Sequence, residues 1–235
     1  MTQTHIVALG GSLLRPEEEE GRDYWFGRLR QLCVHVEGNG HHLGIVVGGG
    51  LPAREAISLA KPYVNDTHSL DQIGIGATRI NATIIQQVLK ETGLDVSPVI
   101  PHACGEAAEL LEKHHIVVMG GTIPGHTTDA VAVEFATKAG AGKCIIATNV
   151  SHVYDKDPSV YPEAKKLENI TLKELGDICG VGKEREAGQS VVVDPVAVER
   201  AIEAELSMCV LDGRDVGLLE AAIEGRNFNG TNITV

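Results

Sequence analysis

Helices packed on both faces of a mainly parallel sheet, an α/β three-layer αβα sandwich, is the fold class this sequence predicts, and three observations predict it. Hydrophobic residues make up 43% of the chain but aromatics only 3%, so the interior is built from Val, Ile, Leu and Ala, the composition of strands covered by helices on both faces. Apolar runs of strand length alternate with segments of helical period, the rhythm of βαβ units. Glycine gathers where several of those apolar runs end, and in parallel sheets that is where loops turn into helices and ligands bind.

In chain order, the first strand is expected at residues 6–9, ended by Gly10-Gly11. A helix follows at 23–36, then a strand at 43–47 closed by Gly48-Gly49-Gly50, and a helix at 52–60. The most clearly periodic helix begins near Ser69, carries Ile73, Ala77, Ile80, Ile84 and Val88 at three- and four-residue steps along one apolar stripe, and ends by Gly93. A third strand is expected at 96–100, a helix at 105–113, and a fourth strand at 116–119 that runs into Gly120-Gly121. Beyond it come a helix at 129–139, a strand at 143–148, helices at 172–179 and 195–205, a strand at 208–211 and a helix at 218–223. No linker or internal repeat interrupts the series, so residues 1–235 read as one domain.

Composition excludes several classes of function. A formal net charge of −12 argues against nucleic-acid binding, which needs a basic surface, so any phosphate site must be local. The run Glu17-Glu18-Glu19-Glu20 reads as a solvated segment. The five cysteines are scattered without paired spacing, as buried apolar residues in a reducing compartment would be. The ten histidines form no metal-ligand spacing, so no protein-held metal is expected. Neither a signal-peptide core nor an apolar run of membrane-spanning length is evident, and a cytoplasmic protein with no membrane partner is expected.

A glycine run between a strand and a helix lets backbone N–H groups approach an anion, and the helix N-terminus adds partial positive charge. Gly10-Gly11-Ser12 and Gly48-Gly49-Gly50 both fit this description, and neither is a Walker A loop or a GxGxxG turn. Arg54, just past the triple glycine, could bring a multidentate donor to the same anion. Thr127, Thr128 and Asp129 are good capping residues ahead of an apolar helix.

The strand ending in Gly10-Gly11-Ser12, the segment Ile45-Val46-Val47-Gly48-Gly49-Gly50 and the following Ala53-Arg54 resemble the amino-acid-kinase superfamily. The block running from Leu70-Asp71-Gln72 to Arg79-Ile80-Asn81-Ala82 is similar to the helix entrance of archaeal-type uridylate kinases. So is the stretch from Val118 through Gly120-Gly121-Thr122-Ile123-Pro124-Gly125-His126-Thr127-Thr128-Asp129 to Val131. Thr148-Asn149-Val150-Ser151-His152-Val153-Tyr154-Asp155-Lys156-Asp157-Pro158 resembles that family's ATP-side segment. Ala187-Gly188-Gln189-Ser190, Asp194-Pro195 and Gly230-Thr231 follow the pattern as well, so the resemblance covers nearly the whole chain.

The resemblance implies the amino-acid-kinase fold, with an acceptor lobe at 1–142 and an ATP lobe at 143–235, and transfer of the γ-phosphoryl group of Mg-ATP to UMP. It implies ATP contacts at Gly10, Gly11, Ser12, Gly50, Arg54, Thr148, Tyr154 and Asp157. UMP contacts are implied at Gly49, Asp71, Thr122, Ile123, Pro124, Gly125, His126, Thr127 and Thr128. Mg²⁺ would enter with ATP, and a hexamer built from dimers would be the assembly. Two departures from the pattern stand out: Ala8 occupies the position where many superfamily members carry a lysine, and Ser151-His152 replaces Asp-Gly. Arg54 therefore becomes the candidate catalytic charge, with Arg15, Arg79 and Lys156 next. Two alternative readings remain open: a superfamily kinase acting on another small acceptor such as isopentenyl phosphate, and a non-catalytic ATP-binding protein of the molybdate- or tungstate-storage type.

Overall fold

The computed structural model describes residues 2–15, 19–158, 160–182 and 192–235. Glu17 and Glu18 of the acidic run and the segment from Ala187 to Ser190 lie outside the described residues. The elements are β1 (Thr4–Leu9), α1 (Glu19–Gly38), β2 (His42–Val47), α2 (Gly50–Ala60), α3 (Thr67–Lys90), α4 (Cys104–Leu111), β3 (Ile116–Met119), α5 (Thr128–Lys138), β4 (Lys143–Thr148) and β5 (Val153–Tyr154). They continue with β6 (Lys166–Leu167), β7 (Asn169–Thr171), α6 (Leu172–Cys179), α7 (Pro195–Glu203), β8 (Ser207–Asp212), α8 (Val216–Ile223) and β9 (Gly230–Thr234).

Seven strands form one sheet in the order β3-β2-β1-β4-β8-β9-β7, and β5 pairs with β6 in a separate ribbon. Every pairing in the large sheet is parallel except β8 with β9. Alternation along the strands divides the core between the two faces of the sheet. Ile6, Ala8, Val46, Val117 and Ile146 pack toward α4, α5, α6 and α7. Val7, Leu9, Ile45, Val118 and Ile145 pack toward α1, α3 and α8. The three-layer arrangement is the one expected. Gly44 sits inside β2 because a side chain there would lie 2.4 Å from Phe135 and 2.5 Å from Ile6, so its absence lets α5 settle directly on the sheet.

Residues 96–100 are not a strand. Val96 makes a single bridge to Ile116, and Ser97 N–H donates to Ile116 O at 2.8 Å. Pro98 has no N–H to continue the ladder. The apolar stripe of α3 also faces differently from the one its periodicity suggests. The helix buries Ala77, Thr78, Asn81, Ala82, Ile85, Gln86 and Leu89, while Ile80 is 61% and Ile84 37% exposed. Three of the buried residues are polar and make hydrogen bonds inside the chain, which a reading of hydrophobicity alone cannot detect. The outward-facing isoleucines lie on the surface of the α2–α3 region, where Leu59 and Tyr63 are also exposed. No helix is long and apolar enough to cross a membrane among the described residues.

Candidate active site

The carboxyl ends of β1, β2 and β4 are hydrogen-bonded together beyond their ladders. Gly10 N–H donates to Ala147 O at 2.9 Å, and Gly48 N–H donates to Leu9 O at 2.8 Å. The first two glycine loops touch through bare backbone. A Cβ on Gly11 would lie 2.3 Å from Gly48 O, and one on Gly50 would lie 2.6 Å from the Gly11 carbonyl carbon. Gly50 also holds φ at +58°, a conformation costly for any residue with a Cβ. These loops are glycine because they pack against each other and turn at once, and the result is a ridge of main-chain amides at the head of α2.

Gly120-Gly121 closes the cleft from the α3 side. Thr78 Oγ1 accepts from Gly121 N–H at 2.7 Å and donates to Ile75 O at 2.6 Å. From there the chain runs through Thr122, Ile123, Pro124, Gly125 and His126 to Thr127, whose side chain caps α5 by accepting from Ala130 N–H at 3.3 Å. Asp71 does not cap α3, a role taken by Asp66, whose carboxylate accepts from Ser69 N–H at 2.9 Å. Instead, Asp71 Oδ2 accepts from Gly125 N–H at 2.8 Å, so the helix entrance and the loop meet. Thr128 lies on the cleft side, where a Cβ on Gly48 would be 3.5 Å from its Oγ1.

Charge in this region is concentrated in few groups. Ala8 is buried in β1 and brings none. Arg54 stands exposed on α2, four residues past its start at Gly50. Of the other cations considered, Arg79 donates to Ile100 O and Pro101 O, and Lys156 pairs with Glu163 and lies over the Tyr161 ring. Arg15 alone among these three is tied to the glycine loops. Its Nη2 donates to Asn81 Oδ1 at 2.9 Å, while Asn81 Nδ2 donates to Gly48 O and Gly49 O. Asn81 was not among the expected site residues, because its place on the buried side of α3 is set by polar partners far away in sequence.

Thr148 ends β4 beside Gly10, its Cα 3.6 Å from where a Gly10 Cβ would stand. Tyr154 lies on the β5–β6 ribbon with Asp157 three residues on. Where the family pattern has an acidic residue, Ser151 Oγ lies 3.3 Å from Tyr154 Oη and 3.0 Å from His152 Nδ1. Burial, then Lys166, lowers the His152 pKa, which favours the neutral ring.

Asp194 and Arg200 reach back to the loop between Gly121 and Thr128. Thr127 Oγ1 donates to Asp194 Oδ2 at 2.9 Å, and Asp194 N–H approaches Asp129 Oδ2 at 3.5 Å. Burial, reinforced by the Asp194 charge and opposed by that N–H, pushes the Asp129 carboxyl up to about 6, although part of the residue's surface stays accessible. Arg200 on α7 meets His126 Nε2 at 2.8 Å. Among the described residues no three His, Cys, Asp or Glu side chains converge as a metal site.

Comparison with known proteins gives this geometry its relatives. Residues 3–212 match the model of the amino acid kinase family. The chain is 40% identical to a uridylate kinase of Methanococcus maripaludis, over 97% of this chain and 98% of that one. It is 38% identical to a uridylate kinase of Methanocaldococcus jannaschii at the same coverage. The crystal structure of uridylate kinase from Archaeoglobus fulgidus superposes with a TM-score of 0.82 at 31% identity, covering 100% of both chains. The UMP kinase structure from Bacillus anthracis, at 22% identity and a TM-score of 0.79 over 99% of this chain and 96% of that one, shares the fold.

Proposed function

Because this chain belongs to the amino acid kinase family, we propose that it is a UMP kinase, transferring the γ-phosphoryl group of ATP to UMP to give UDP and ADP in pyrimidine nucleotide synthesis. The observation that carries this reading is the meeting of Asp71 with Gly125, which joins the acceptor-side loop to the α3 entrance above two glycine loops in backbone contact. Full-length relatives named uridylate kinase support the choice of acceptor.

In this reading an oxygen of the UMP phosphate attacks the γ-phosphorus in line. The bond from that phosphorus to the β,γ-bridging oxygen breaks as ADP departs. No general base is needed, since the nucleophile is already an anionic oxygen, and catalysis rests on positioning and charge stabilisation. Gly10, Gly11, Ser12 and Gly50 hold ATP from the first two glycine loops, together with Thr148, Tyr154 and Asp157 of a donor lobe at 143–235. Gly49, Asp71 and Thr122 through Thr128 hold UMP, in an acceptor lobe at 1–142. Arg54 neutralises the equatorial oxygens of the migrating group. Mg²⁺ travels with ATP as part of the donor substrate.

The exposed Ile80, Ile84, Leu59 and Tyr63 support assembly through the α2–α3 surface with a second copy, a first step toward a hexamer, and we place the protein in the cytoplasm. A coupled assay with UMP, CMP, dUMP and isopentenyl phosphate as acceptors tests the reading. UMP should be turned over fastest. ATP binding without transfer to any acceptor would overturn it.

A further inference from the structure

His126 lies in the middle of the acceptor-side loop, and Arg200 reaches it from α7, 74 residues later in the chain. Arg200 Nη2 stands 2.8 Å from His126 Nε2. A guanidinium has donors and no acceptor and stays charged, so Nε2 must be the acceptor, and the proton of the neutral imidazole is on Nδ1. Arg200 is not free to turn away. Its Nη1 donates to Glu134 Oε2 at 3.1 Å and to Ala130 O at 3.4 Å, both on α5. One residue along the loop, Thr127 is bound to Asp194 at the head of α7, so the same helix grips two adjacent loop residues. His126 Nδ1 is buried and has no hydrogen-bond partner. A buried donor left unpaired is unfavourable, and here it belongs to the loop that our functional reading assigns to the acceptor nucleotide.

We infer that Arg200 is a positioning residue of the acceptor site: it fixes His126 as a neutral, Nδ1-protonated donor that completes its hydrogen bonding on an oxygen of the acceptor nucleotide. The inference rests on the assignment of UMP to this loop and adds a basis for selectivity. A fixed N–H donor rewards a carbonyl or phosphoryl oxygen and penalises an amino group at the same point. Uracil offers a carbonyl where cytosine offers an amino group, so a donor that meets the base at that point favours UMP over CMP, whereas one that meets a phosphoryl oxygen, common to both nucleotides, leaves the preference unchanged.

The test reads the tautomer directly, by the imidazole ¹⁵N shifts of His126 in the full-length ¹⁵N-labelled protein, with and without UMP. The parent should show Nδ1 protonated, and UMP should shift that nitrogen. Arg200→Met should move the proton partly or wholly to Nε2, raise the KM for UMP about tenfold or more, narrow the UMP-to-CMP preference if Nδ1 meets the base, and leave the KM for ATP within about twofold. Arg200→Lys should keep the tautomer. A second pair is independent of Arg200: His126→Asn carries an amide near the Nδ1 position, and His126→Gln carries one near Nε2. Asn should bind UMP at least about fivefold more tightly than Gln by calorimetric titration. An unchanged Nδ1 proton in Arg200→Met, or equal weakening of UMP by Asn and Gln, would overturn the inference. A parent that phosphorylates no nucleoside monophosphate would defeat the functional reading instead, and the ¹⁵N shifts would still decide the tautomer.

Discussion

Asn81 takes a hydrogen bond from the Arg15 guanidinium at 2.9 Å on its oxygen and gives its amide protons to Gly48 O at 2.7 Å and Gly49 O at 3.0 Å. One fully buried side chain thus fastens the chain leaving the first glycine loop to the backbone of the second. Replacement by a residue of similar shape but no polarity isolates that function. Asn81→Leu should destabilise the protein by roughly 2–4 kcal/mol, since the buried Gly48 carbonyl and the Arg15 guanidinium lose their partner while Gly49 O keeps only Ala53 N–H at 3.4 Å, and lower kcat at least about tenfold by loosening the loops. Urea unfolding and steady-state kinetics would check both. A stable, fully active Asn81→Leu protein would show that backbone contact alone sets the loop geometry.

Arg54 offers the opposite case, a charge whose removal should not disturb folding. It is exposed on α2, whose residues are not buried within the chain. Arg54→Met should leave stability within about 0.5 kcal/mol of the parent yet reduce kcat by about 10²–10³-fold, with UMP affinity changed far less. Lysine should recover part of the rate, because a point charge does not reproduce the planar fork. If the Met variant turns over within a few-fold of the parent, the stabilising charge lies elsewhere, and Arg15 is the next cation to replace.

Thr127 and Thr128 are neighbours with different expected effects. Thr127 caps α5 and holds Asp194, so Thr127→Val should cost about 1–2 kcal/mol of stability. Thr128 is the first residue of α5 rather than its cap, and in our reading its hydroxyl faces the UMP phosphate. Thr128→Val should melt near the parent temperature while weakening UMP by roughly 1.5–3 kcal/mol and sparing ATP. Melting curves and calorimetric titration of each nucleotide separate the two. Equal loss of ATP and UMP affinity in Thr128→Val would remove this residue from the acceptor site.

Half-buried Asp129 and buried His5 should give stability a pH dependence of opposite signs. Asp129, raised to about 6 by burial, binds its proton in the folded state more tightly than in the unfolded chain. Its contribution is therefore fully present below an unfolded value near 4 and is lost as pH rises through about 6. His5 is lowered to about 4, first by burial and then by His41 and Lys143. Its neutral form is favoured on folding, so its contribution is lost as pH falls from about 6.5 through 4. Over that shared window the parent should show partial cancellation. Asp129→Asn should make stability rise more steeply with pH, and His5→Gln should make it fall. Denaturant midpoints at half-unit steps from pH 4 to 7 would reveal either slope, and parallel curves for parent and variants would refute both assignments.

What the sequence makes legible is largely what is local. Gly10-Gly11 is readable because a strand ends there, although α1 starts only at Glu19, and Gly48-Gly49-Gly50 because a strand end and a helix start flank it; the cap at Thr127 is readable because its partner is three residues away. Asn81 is different: its value depends on Gly48, Gly49 and Arg15 arriving from elsewhere, and on a helix that buries polar side chains while exposing Ile80 and Ile84. The strand expected at 96–100 failed because Pro98 and Pro101 outweigh the apolar character around them. Strand β9, between β8 and β7, escaped notice because Gly230-Thr231-Asn232 lacks the hydrophobic run that marks the central strands. Arg200 carries no local signal at all, since its partner is on another helix's approach loop.

The grip of α7 on the acceptor loop also sets an order of events during synthesis. The loop has been translated once Thr128 is added, but its anchors at Asp194 and Arg200 are 67 and 74 residues behind Thr127 and His126. While the ribosome makes that intervening stretch, β1, β2 and β3 can already associate, and the glycine loops can already meet. His126 in the nascent chain has no guanidinium to fix its proton. A chain stalled at residue 180 should retain little UMP on a filter, and one stalled late enough to expose residue 235 should retain it fully. In our reading the acceptor site is thus completed only once α7 has been made, and UMP should add little stability to a chain that stops before it.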